Sequence, residues 1–113
     1  APEGWHVPND SEWIELIDYL GGLNIAGGKM KEVGNTYWEN PNTAADNSSG
    51  FAGLPGGARS LTGEFTSIGR GAAFWSSTEN ISVSYTTLFY NTGKATISSM
   101  SQEQGLSLRC LKD

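Results

Sequence analysis

Trp13, Leu16, Ile17 and Leu20 recur at i, i+3, i+4 and i+7, which places one apolar face on a helix over residues 11–20. Asn9 and Asp10 are good N-caps, Asn9-x-x-Glu12 has capping-box spacing, and Glu12 and Glu15 sit where the helix dipole favours carboxylates. Gly21-Gly22 ends the helix. Residues 21–34 read as irregular, with Gly27-Gly28 and Gly34 as breakers and room for one short helical turn near residues 23–26. Residues 35–60 read as a long polar loop around Tyr37, Trp38, Phe51 and Leu54, a length that often marks function.

The period changes to two in the last third. Residues 73–77 predict a short strand and residues 81–90 a longer one. Asn91-Thr92-Gly93-Lys94 predicts a turn, and Ala95–Met100 the return strand. After a turn at residues 101–105, a final strand carries Leu106, Leu108 and Cys110 on one face, with Ser107, Arg109 and Leu111 on the other. One early helix, long Gly/Asn-rich loops and a C-terminal antiparallel sheet make an α+β pattern. Phe74-Trp75, the largest adjacent apolar pair, is the expected centre of the core, with the helix packed against the sheet that holds Trp75. Trp5, Trp13, Trp38, Phe51 and Cys110 are expected to join it. Ser76-Ser77-Thr78-Glu79 matches a capping box, but alternating residues follow, so its hydroxyls read as clamps on irregular backbone.

Composition narrows the function classes. The 113 residues suit one domain, and the formal net charge of −5 argues against nucleic acid, which rewards basic clusters. No apolar run approaches the ~20 residues of a membrane span. The single cysteine, Cys110, has no partner within the chain; it reads as a small buried hydrophobe, or as one half of a pair whose other half lies upstream of Ala1.

Candidate chemistry is sparse. His6 is the sole histidine, so a Ser–His or Cys–His pair would have to use it, yet no nucleophile-elbow pattern occurs and packing beside Trp5 is the simpler reading. Glu39, Asn42 and Asp46 are weak calcium candidates, since Ca²⁺ takes about 6–8 oxygen ligands; turn chemistry accounts for the same residues. Gly53-Leu54-Pro55-Gly56-Gly57 lacks the lysine and hydroxyl of a phosphate-binding loop and opens no helix. Asn47-Ser48-Ser49 and Asn80-Ile81-Ser82 are formal sequons and read as loops. Arg59 and Arg109 are expected to pair structurally with acidic residues such as Glu32, Glu64 or Glu79. Along 85–90, Tyr85, Thr87 and Phe89 alternate against Thr86, Leu88 and Tyr90, so both faces carry an aromatic and one must be less buried. Tyr85, Phe89, Tyr90, Asn91 and Met100 form the expected ligand-binding surface, with Tyr90 and Asn91 foremost because a turn keeps them reachable.

Gly4-Trp5-His6-Val7-Pro8, Ala26-Gly27-Gly28-Lys29-Met30-Lys31-Glu32, Ser49-Gly50-Phe51, Leu54-Pro55-Gly56-Gly57-x-Arg59, Phe74-Trp75-Ser76-Ser77-Thr78-Glu79 and Leu108-Arg109-Cys110-Leu111-Lys112-Asp113, in this order, resemble the Fibrobacter succinogenes major paralogous domain from end to end. The resemblance implies a C-type-lectin-like fold near the formylglycine-generating-enzyme group, as one domain over residues 1–113. Family members commonly carry a cysteine where this chain has Ala1, and an upstream portion besides, so the first strand is expected to be absent or replaced by pairing of the termini. The resemblance further implies a secreted or surface-anchored bacterial protein without an established activity. Relatives that oxidise cysteine use a cysteine pair for copper, and with one cysteine that activity is not expected here. The resulting expectation is a non-catalytic extracellular binding or display module for a glycan or protein, without cofactor, nucleic acid or membrane insertion. An adhesive subunit of a surface appendage is the alternative, and an enzyme of the formylglycine-generating type a more distant one.

Overall fold

Asn9 starts the first helix as its spacing predicts. Its Oδ1 accepts the Glu12 N–H at 2.9 Å, and α1 runs over Asp10–Tyr19 in the computed structural model, which describes residues 1–79, 83–100 and 104–113. Only half of the capping box forms, because the Glu12 carboxylate turns to His6 instead of back to Asn9. At the other end the Gly22 N–H reaches the Ile17 carbonyl and the Gly21 N–H the Asp18 carbonyl. That paired closure needs the left-handed backbone that Gly21 adopts (φ 106°).

The chain then departs from the sequence reading. A second helix, α2, spans Leu23–Met30 and passes through Gly27-Gly28. Glycine is normally a poor helix former, but here two backbones approach it. A Cβ at Gly27 would lie 2.1 Å from the Lys94 carbonyl oxygen, and one at Gly28 2.4 Å from that of Ala44. Close packing, not chain-breaking, is what these glycines supply.

β1 (Trp5–His6) pairs antiparallel with β7 (Leu111–Lys112), which brings the two ends of the chain together. β2 (Ala58–Arg59) and β3 (Phe65–Thr66) make a short hairpin. β4 (Gly71–Glu79), β5 (Val83–Phe89) and β6 (Ala95–Met100) form a three-stranded antiparallel sheet in that order. β4 is longer than the predicted segment and its register shifts between Trp75 and Glu79. The hydroxyl run lies within this strand, and it clamps the start of α1. Thr78 Oγ1 accepts the Asp10 N–H at 3.0 Å, and the Ser77 N–H donates to the Pro8 carbonyl at 2.8 Å. No continuous strand covers residues 106–110. Instead Gly105 bridges to Arg59 and Ser107 to Phe74.

The core gathers Trp13, Ile17, Leu20, Ala26, Met30, Trp38, Ala72, Phe74, Leu88 and Ala95, with Phe51 packed against it. Several expectations are corrected. Phe74 rather than Trp75 is central: successive strand residues point to opposite faces, and Trp75 is only half-buried. Trp5 is 46 % exposed, and Leu108, Tyr37 and Leu54 are also exposed, while Cys110 is half-buried. The loop is therefore anchored by Trp38 and Phe51, with the Trp38 Nε1–H donating to the Gly53 carbonyl at 2.9 Å. Arg59 and Arg109 form no ion pair with a described residue. Arg109 stacks over Phe51 and Arg59 over Phe65, whereas Arg70 binds Glu39 at 2.9 Å. Glu79 keeps its place in β4, but its side chain lies outside the described residues, as do the strand start at Ile81 and the sequon at Asn80.

Candidate functional site

The register of β4, β5 and β6 decides which face of the sheet is open. Gly71 lies opposite Phe89; Ala73 lies opposite Thr87, which in turn faces Thr96; and Tyr85 faces Ser98. Small residues therefore line up across the outer face, flanked by Tyr85 and Phe89. The Thr87 and Thr96 hydroxyls hydrogen-bond across the floor. Gly57 runs beside β4, its N–H donating to the Gly71 carbonyl at 2.8 Å. With Ala58, Ser67 and Leu106 it closes one side. The result is a groove of about 260 Å³ with no charged lining residue among the described residues. Gly57 has φ +65°, and a Cβ there would meet the Thr66 carbonyl oxygen at 2.2 Å, so only glycine fits the wall.

The expected surface is thus split. Tyr85 and Phe89 line the groove, and Phe89 is 40 % exposed. Tyr90 packs against the core on the opposite side, beneath the Arg70 guanidinium at 5.7 Å. Asn91 is exposed at the turn, away from the groove lining. The side chain of Met100 lies outside the described residues. Thr87, Thr96 and Ser98 were not singled out from sequence. Their common period-two phase with Tyr85 is the signal that pointed to them, once the strand register is known.

Lys31 was given no role from sequence. It follows α2 and is fully buried (0 % exposed). Its ammonium donates to the carbonyls of Thr43, Phe89 and Thr92 at 2.8, 2.9 and 3.0 Å, with the Trp38 ring 5.5 Å away. Burial pushes its pKa down to about 8. This clasp joins the long loop to the β5–β6 turn and fixes the end of β5 that carries Phe89. In the sequence Lys31 stands only as one member of the motif at residues 26–32, and no local signal marks it as buried.

His6 lies between two carboxylates, with Nε2 2.6 Å from Glu12 and Nδ1 2.7 Å from Asp113. Glu12 first and Asp113 second hold its pKa above the ordinary 6.5. The raised value fixes the sign of a pH effect. The stabilisation is fully present below about pH 6.5, the unfolded value, and is lost as pH rises through the folded value. Melting temperatures between pH 6 and pH 9 should fall for the native protein relative to His6→Gln, and an equal slope in both would count against the tie.

The calcium candidates are held separately. Glu39 binds Arg70, and Asp46 accepts the Ser48 N–H, which lowers its pKa. Asn42 is buried and donates to the carbonyls of Glu32 and Gly34. Among the described residues no group of three His, Cys, Asp or Glu side chains is placed to hold a metal, and no helix is long and apolar enough to cross a membrane.

Comparison with known proteins places the chain by its sequence. No curated protein and no solved structure matches it. The sequence model of the Fibrobacter succinogenes major domain matches residues 1–112, nearly the whole length. With its α+β architecture of two helices and antiparallel sheets, the chain belongs to the Fibrobacter succinogenes major domain family.

Proposed function

We propose that this chain is a non-catalytic binding module of C-type-lectin-like fold, displayed outside a bacterial cell, which holds a neutral glycan in the groove on the outer face of β4, β5 and β6. The observation that carries the reading is the lining of that groove. It joins two aromatic side chains, Tyr85 and Phe89, to the hydroxyls of Ser67, Thr87, Thr96 and Ser98, with no charge among the described residues. A sugar ring has an apolar C–H face and a hydroxyl rim, and an aromatic wall beside small hydroxyl residues complements both. Two helices against an antiparallel sheet, a long stitched loop and paired chain ends support the fold assignment. The engagement of His6 by Glu12 and Asp113 supports a role without nucleophilic chemistry.

The test is an array of immobilised neutral and anionic oligosaccharides probed with the native protein and with a Tyr85→Ala/Phe89→Ala variant. Native protein should bind neutral members, and the variant should lose about tenfold or more in affinity, as expected when central aromatic contacts are truncated. Its melting temperature should change little, since Phe89 is exposed and Tyr85 half-buried. Binding confined to anionic sugars, or retained by the variant, would remove the groove from consideration.

A further inference from the structure

A second cavity, of about 310 Å³, lies between α1 and the paired ends of the chain, and none of its lining residues takes part in the groove on the sheet. Trp5, Trp13, Leu16 and Phe51 make its walls, while Glu12, Arg109 and Lys112 supply its charges. Two features point to a ligand of one chemical type. First, the Arg109 guanidinium lies 4.4 Å from the centroid of the Phe51 ring. The cation rests against the ring, and its N–H groups form no hydrogen bond or ion pair with a described residue. Contact with an aromatic ring helps to position a guanidinium and leaves N–H groups available for a carboxylate. Second, Glu12, the acidic group in the lining, is already engaged by His6 at 2.6 Å, so the open charge at the cavity is positive. Trp13, 2 % exposed, backs the apolar wall.

We propose that this cavity binds a small aromatic carboxylate, with its ring among Trp5, Trp13 and Phe51 and its carboxylate on Arg109. The volume sits at the small end of ligand pockets, so one ring or a fused pair fits and a longer chain does not. Lys112 adds a second cation at the rim, which favours an anion over a neutral analogue.

Indole-3-acetate and its neutral amide are suitable probes, titrated against the native protein by tryptophan fluorescence. Cys110 lines the same cavity and is half-buried, so its rate of labelling by a thiol reagent gives a second readout. The acid should bind about fivefold more tightly than the amide, as a partly exposed ion pair allows, and should slow Cys110 labelling at saturation. Arg109→Gln, at an exposed position, should abolish the preference for the acid while leaving amide binding unchanged. Leu16→Trp should fill the cavity and weaken both probes, and unaltered labelling of Cys110 in the absence of probe by the Arg109 variant shows that its fold is retained. The proposal is overturned if acid and amide bind equally, if Arg109→Gln leaves the preference intact, or if neither probe affects fluorescence or labelling.

Discussion

Phe74→Ala is expected to lower the unfolding free energy by about 3–5 kcal/mol, the cost of deleting a large aromatic from a packed core. The Phe74 side chain is only 6 % exposed and packs edge-on to Phe51 at 5.5 Å and tilted to Trp13 at 5.9 Å between ring centroids. Phe51 itself lies 6.0 Å from Trp13, so the three rings form a closed cluster. Rigid rings cannot collapse into the space that the lost ring leaves, so a cavity term adds to the lost transfer energy. Trp75→Ala removes a larger side chain at the next position, but from the half-buried opposite face, and should cost only about 1–2 kcal/mol. Urea unfolding compares the two directly if the slopes agree. Equal losses would mean that the faces of β4 are assigned the wrong way round.

The same pair of residues shows what the sequence could and could not determine. Adjacent Phe74 and Trp75 announce a core strand, yet a strand buries alternate residues, and composition alone favours the larger ring. The structure selects Phe74 because α1 and Phe51 arrive on its side. α1 itself was readable, since its cap, apolar face and glycine stop are all local signals. α2 was hidden because its two glycines are justified only by the carbonyls of Lys94 and Ala44, which are distant in sequence. For the groove, the alternation from Tyr85 to Tyr90 was legible and its direction was not. Tyr85 and Phe89 became neighbours of Ser98 and Gly71 only through strand register. The alternation after Gly105 suggested a strand, but that segment supplies single bridges to Arg59 and Phe74 and so never forms a continuous ladder. Tyr90 was misplaced for a related reason: a turn nearby does not make a side chain reachable when its strand phase points to the core.

Lys31→Met is expected to destabilise the protein by about 3 kcal/mol, although it replaces a buried cation with an apolar chain of similar length. Relief from burying a charge works in favour of the variant, and the depression of the Lys31 pKa to about 8 reflects that penalty. Against it stand the carbonyls of Thr43, Phe89 and Thr92, which would lose their donor together. Leaving a buried carbonyl unpaired costs about 1–3 kcal/mol; these bonds are part-buried, so the low end applies to each, and three together outweigh the relief. An ammonium has three N–H groups and here meets three acceptors, so its hydrogen-bonding capacity is filled. Lys31→Arg should fail to restore stability, because a planar fork spreads its donors where the carbonyls converge on a point. The effect should also be local. Lys31 grips the chain on both sides of Tyr90 and Asn91, and Thr43 donates its own N–H to the Tyr90 carbonyl at 2.8 Å. Amide exchange in Lys31→Met should therefore accelerate most at residues 42–45 and 89–94, and least in α1. Exchange that rises uniformly, or a variant as stable as the native protein, would show that the clasp does not hold the loop to the sheet.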